Sequence, residues 1–114
     1  MNKYRDKSDF EINKAVAVNI NGTDDVLEKF GRIYISDGDR GAMVSFSPCN
    51  NPADAMPIVI ENRISIESRF NGHYDEWYAS RQLNKVHIDA TGTNYYRVAM
   101  EVFLMMKDAE NEKV

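Results

Sequence analysis

Cys49, His73 and His87 are the only thiol and imidazole groups in the chain, so soft-metal or nucleophilic chemistry would have to start from them. Their spacing does not suit it. A structural zinc site announces itself as paired Cys or His residues a few positions apart, and no C-x-x-C or H-x-x-x-H occurs here. A cysteine nucleophile needs a base and an orienting acid; nothing in the sequence links Cys49 with His73 and Asp75, and no G-x-S-x-G elbow is present. The acidic pairs Asp24–Asp25 and Asp37–Asp39 lack the spaced ligands and closing Glu of a calcium loop, and they read as turn residues. Gly38 and Gly41 do not lead from a strand into a helix, so they are not a phosphate cradle. No catalytic residue, cofactor or metal is expected.

A contact surface is a better fit to the side chains. Tyr74, Trp77 and Tyr78 cluster around one hairpin, with Arg69 and Arg81 close in sequence. Tyr, Trp and Arg are the residues that dominate protein interfaces. Interleaved with cations on a sheet, they also stack single-stranded bases. Trp77 reads as a core anchor beneath the last helix. Tyr74, Tyr78, Arg69 and Arg81 form the candidate interaction surface.

Those residues need a scaffold, and 114 residues make one domain large enough for a core without disulfides. With 43% hydrophobic and 28% charged residues, the composition is that of a globular protein rather than a disordered one. A formal net charge of −4 offers no basic face for duplex DNA. The longest apolar run, VFLMM at 102–106, is far too short to span a bilayer, and the polar start MNKYRDKSDFEINK has no signal-peptide core. Together with a single cysteine, this points to a cytoplasmic location. Residues 1–7 and 109–114 read as frayed ends.

SDFE is a capping box that starts a helix over 9–20, with Phe10, Ile12, Val16 and Ile20 on its stripe and Asn21-Gly22 as its stop. TDDVLEKFG reads as a turn or loop. RIYIS and AMVSFS form a hairpin, 32–36 with 42–47, around DGDRG. In NNPADAMPIVIEN, Asn51 caps and Pro52 takes the first helical position. Pro57 then breaks or kinks the helix, leaving Ala53, Met56, Val59 and Ile60 on one face. RISIES and WYASRQ pair around Asn71-Gly72, and KVHIDATG is a short strand or an extended connection. Asn94 or Thr93 caps a last helix. Tyr95, Ala99, Val102, Phe103 and Met106 make its stripe, and Tyr96 and Met100 widen it until the helix is apolar nearly all round. The expected fold is α+β: a mainly antiparallel sheet of four to five strands with three helices, the C-terminal one packed on the sheet. Apolar surface left over on that helix suggests a homodimer.

SDFEINKAVA, NNPADAMPIVIENRISI, WYAS and NYYRVAMEVFLMM together resemble the bacteriophage NinX-like family of small lambdoid phage and prophage proteins. The resemblance covers 8–17, 50–66, 77–79 and 94–106. It departs at Met56, where the family commonly has an aromatic, and at Tyr95, where it has Pro. A first-position Pro there would agree with Asn94 as the cap. The resemblance implies a phage or prophage protein in the bacterial cytoplasm and carries no catalytic residues. The expected function is therefore that of a non-enzymatic accessory protein that binds a phage or host protein. The alternative is a nucleic-acid accessory factor near recombination or replication, which the acidic balance opposes.

Overall fold

The computed structural model describes residues 2–36 and 41–111. The expected acidic pair Asp37–Asp39 and most of the DGDRG turn lie outside them.

Helix α1 (Asp9–Asn21) begins at the capping box read from SDFE. The Glu11 amide donates to Ser8 Oγ at 3.1 Å, and the Ser8 amide donates back to Glu11 Oε1 at 3.3 Å. Two otherwise orphaned amides are thus satisfied reciprocally. The helix buries Ile12, Asn13, Val16 and Ala17, while Ile20 is turned partly to solvent.

A short 3-10 turn, Thr23–Asp25, leads into β1 (Val26–Lys29), a strand where a turn or loop was expected. It pairs antiparallel with β2 (Arg32–Ser36), and Lys29 stands opposite Arg32. The loop is therefore two residues, Phe30-Gly31, both with positive φ (52° and 72°). That is a type I′ turn, which matches the right-handed twist of the strands. Glycine adopts this conformation freely; phenylalanine is held there at a cost of about 1–2 kcal/mol, and Phe30 is 88% exposed. β3 (Met43–Ser45) pairs with the other side of β2, as expected of the hairpin 32–36 with 42–47, though over only three residues.

Asn51 caps α2 (Pro52–Glu61), its side chain accepting from the Ala53 amide at 3.0 Å. The helix passes through Pro57 as one element. The bond that Pro57 cannot make would have gone to the carbonyl of Ala53, and both residues are exposed, so water can take its place. The buried face is Ala55, Ile58 and Val59, with Met56 half-buried. This corrects the expected face: Ala53 is exposed, and Ile60 is 69% exposed.

β4 (Ser65–Phe70), β5 (Asp75–Leu83) and β6 (Val86–Gly92) form an antiparallel meander in the order β4-β5-β6. KVHIDATG is thus a strand. Among the described residues there are two three-stranded sheets, not one sheet of four to five strands. The fold class stands as α+β with three helices.

Asn94 caps α3 (Tyr95–Asn111), its side chain accepting from the amides of Tyr96 at 2.9 Å and Arg97 at 3.1 Å. The helix touches β5 and β6 as well as α1 and α2, and α1 in turn rests on β1 and β2. The chain therefore stacks as one sheet, α1, α3 and the other sheet, with α2 beside α3. Val98 to Leu104 are all buried. Gly92 permits the close approach, since a Cβ there would meet Val98 Cγ1 at 3.1 Å. The surplus apolar surface that suggested a homodimer through α3 is thus consumed within one chain.

Residues 2–7 and 109–111, read as parts of frayed ends, are held in the fold. Arg97 donates to Glu101 Oε2 and Asp9 Oδ1, each at 2.6 Å. Its Nη2 reaches the carbonyls of Tyr4 at 2.9 Å and Lys7 at 2.6 Å. Asn2 donates to Glu101 Oε1 at 2.6 Å, and the Tyr4 hydroxyl donates to Asp108. Residues 2–7, read as a frayed end, are stapled to α3. At the other terminus, α3 continues through 109–111.

Candidate interaction surface

Side chains alternate across a strand. Trp77, Ala79 and Arg81 of β5 therefore face α3, while Tyr78 faces out. Trp77 is half-buried and meets Tyr95 edge-to-face, with ring centroids 4.9 Å apart, as a core anchor should. The register sets Tyr78 between Glu67 of β4 and Thr91 of β6.

On this outer face the Arg69 guanidinium lies 3.5 Å from the centre of the Tyr78 ring and donates to Glu67 Oε1 at 3.0 Å. The Tyr78 hydroxyl is 2.9 Å from His87 Nε2 and 3.1 Å from Asp89 Oδ2. His87 Nδ1 is 3.1 Å from Gln82 Oε1. The Gln82 amide nitrogen donates to Asn84 O at 3.0 Å, which fixes that amide's orientation. Nδ1 is accordingly the proton-bearing nitrogen toward Gln82, and Nε2 faces Tyr78. Desolvation, followed by the hydrogen bond to Asp89 and that carboxylate's charge, raises the Tyr78 pKa above the ordinary phenol value. Near neutrality its proton stays in place, so the face offers hydrogen bonds and a cation-covered ring rather than an oxyanion.

The four candidate residues divide. Arg69 and Tyr78 are stacked together. Tyr74 is 54% exposed in the four-residue loop after β4. Asn71 organises that loop, its Oδ1 accepting from the amides of His73 at 2.9 Å and Tyr74 at 3.1 Å. Arg81 is a correction: it shares the inner face with Ala79 and stands opposite Ile88, with its Nε buried and unpartnered. Strand parity excludes it from the Tyr78 surface. His87, Asp89 and Gln82 belong there instead, and the alternation in VHIDATG was the signal for the first two.

The groups first weighed for chemistry lie apart. Cys49 is fully buried, and desolvation, with the nearby Asp9 carboxylate adding to it, pushes its thiol up to about 12. Its amide donates to Asn13 Oδ1 at 3.0 Å, and its carbonyl accepts from Asn94 Nδ2 at 3.0 Å. Asp54 Oδ2 accepts from the Ser47 amide at 2.9 Å. Cys49 thus belongs to a structural turn clamped by α1, α2 and the cap of α3. His73 is exposed in the β4–β5 loop, and Asp24 and Asp25 are exposed in the 3-10 turn. Among the described residues, no three His, Cys, Asp or Glu side chains gather as metal ligands. No helix there is long and apolar enough to cross a membrane.

Two small antiparallel sheets packed on three helices, one sheet turning a polar and aromatic face away from α3, define an α+β protein. A family profile described as "Bacteriophage P22, NinX" matches residues 3–107, and the chain belongs to this phage protein family. No curated protein matches it.

Proposed function

We propose that the protein is a phage accessory factor that performs no catalysis and binds another protein, of phage or host, inside the bacterial cell. The observation that carries this reading is the Arg69–Tyr78 stack, on the sheet face turned away from α3. A planar cation on an aromatic ring, ringed by polar groups, offers a rigid anchor of the kind that dominates interfaces. Tyr74, 54% exposed, extends it at the end of the hairpin. Affinity capture from infected cells tests the reading. The wild-type chain should retain a phage or host protein that is lost from Arg69→Ala and Tyr78→Ala variants of unchanged circular dichroism. Equal retention by all three would refute it.

The nucleic-acid alternative has less support. Arg69 already occupies the Tyr78 ring, and Glu67, Glu76 and Asp89 share its face. A gel shift with single-stranded DNA at low salt, abolished by Tyr78→Ala, would reinstate that alternative.

A further inference from the structure

β6 is the edge of its sheet, since it pairs with β5 and, among the described residues, with no other strand. Seven consecutive pairs, Trp77–Gly92 to Leu83–Val86, run without a bulge, and the strand contains no proline. Leu83 and Val86 flank a two-residue loop, and in such a hairpin the flanking pair is the one that exchanges both hydrogen bonds. By alternation, the amides and carbonyls of His87, Asp89 and Thr91 then point away from β5. The usual defences of an edge strand are a short length, a proline, a bulge or an inward charge. β6 has none, and at seven residues it is the longest edge strand among the described residues, against six for β4, four for β1 and three for β3. Beside the β6 edge runs a groove of about 360 Å³, with Ile88, Val86, Met105 and Ala109 as apolar lining and Asp89 and Asp108 on its rim.

We propose that a second copy of this chain fills the groove, β6 pairing antiparallel with its partner's β6 to make a continuous six-stranded sheet. The segment His87-Ile88-Asp89 is self-complementary across a two-fold axis. Centred on Ile88, the register sets His87 of each chain against Asp89 of the other on the outer face, with the two Ile88 side chains opposed over the apolar floor. The same register uses the outward backbone groups of His87 and Asp89. A register centred on Asp89 would instead oppose two carboxylates. In the six-stranded sheet the two Tyr78 clusters lie on one surface, doubling the face described above. The pairing itself does not depend on what that face binds.

Sedimentation velocity on the full chain, from micromolar to millimolar concentration, tests the proposal, with amide hydrogen exchange read alongside. The expected result is a dimer in which the amides of His87 and Asp89 slow as concentration rises. Asp89→Pro removes an outward amide at an edge position that a monomer tolerates, and it should give a monomer with an unchanged far-ultraviolet spectrum. Asp89→Lys should weaken the dimer about tenfold. Adding His87→Asp to that variant sets opposite charges across the axis and should recover most of the loss. A monomer at millimolar concentration, or a dimer indifferent to all three changes, would overturn the pairing.

Discussion

Arg97 and Tyr78 each anchor a polar network, and the two networks differ in what they surround. Arg97, with a side chain 14% exposed, joins Glu101, Asp9 and the backbone of residues 4–7. It ties together segments about ninety positions apart in sequence. Tyr78, Arg69, His87 and Asp89 lie within one meander, and their side chains meet solvent. Burial separates the two. A buried charge whose partner is removed has no water to turn to, whereas an exposed pair exchanges one set of hydrogen bonds for another. The first network holds the fold closed, and the second leaves its groups open to solvent.

The contrast is broken most directly by Arg97→Ala, which strands Glu101 in the interior. The expected loss is about 3–5 kcal/mol, measured by urea denaturation. Arg97→Lys should recover only part of it, because one ammonium cannot reproduce the planar fork. Asn13→Ala leaves the buried Cys49 amide unpaired and should cost about 1–3 kcal/mol in the same assay.

Alkaline pH sharpens the comparison. Burial holds the Cys49 thiol at about 12 in the folded chain, against about 8.5 when unfolded. Between these values the unfolded chain releases a proton that the folded chain keeps. The contribution is therefore complete below about pH 8.5 and is lost as pH rises toward 12, at up to about 1.4 kcal/mol per pH unit. Tyr4, its pKa raised by desolvation and then by its bond to Asp108, acts with the same sign at higher pH. Denaturation midpoints should fall through this window, and Cys49→Ala should flatten the first part of the decline. At neutral pH the native thiol should resist Ellman's reagent until the protein unfolds.

The smallest effects belong to the outer face. Tyr78→Phe and Arg69→Ala should each change stability by no more than about 0.5–1 kcal/mol. A loss as large as that from Arg97→Ala would show the Tyr78 cluster to be structural. Phe30→Asn should go the other way, gaining about 1 kcal/mol or less at a turn that suits asparagine. Its thermal midpoint checks this.

What could be read from the sequence was what local chemistry decides. Ser8 with Glu11, and Asn51 with Pro52, mark helix starts because caps act within four residues. Strand β1 was hidden because its turn uses Phe30 where Asn would be expected, and VLEK alone is too short to display a period. The buried face of α2 was misjudged because Ile60 is apolar yet exposed, and only the neighbouring helix selects among faces. Arg81 was legible: the parity that places Trp77 inward places it there too, though proximity in sequence suggested otherwise. The staple of residues 2–7 to α3 was not legible, because nothing local to Tyr4 or Lys7 foretells an arginine near position 100.

The position of α3 also governs how the protein can be made. Val98 to Leu104 are all buried, and residues 2–7 are held to the same helix by Arg97 and Asp108. Until α3 has been synthesised, the sheet β4–β6 has no helix to close on, whereas β1 and β2 already have α1. Closure of that sheet must therefore await the synthesis of residues 95–111.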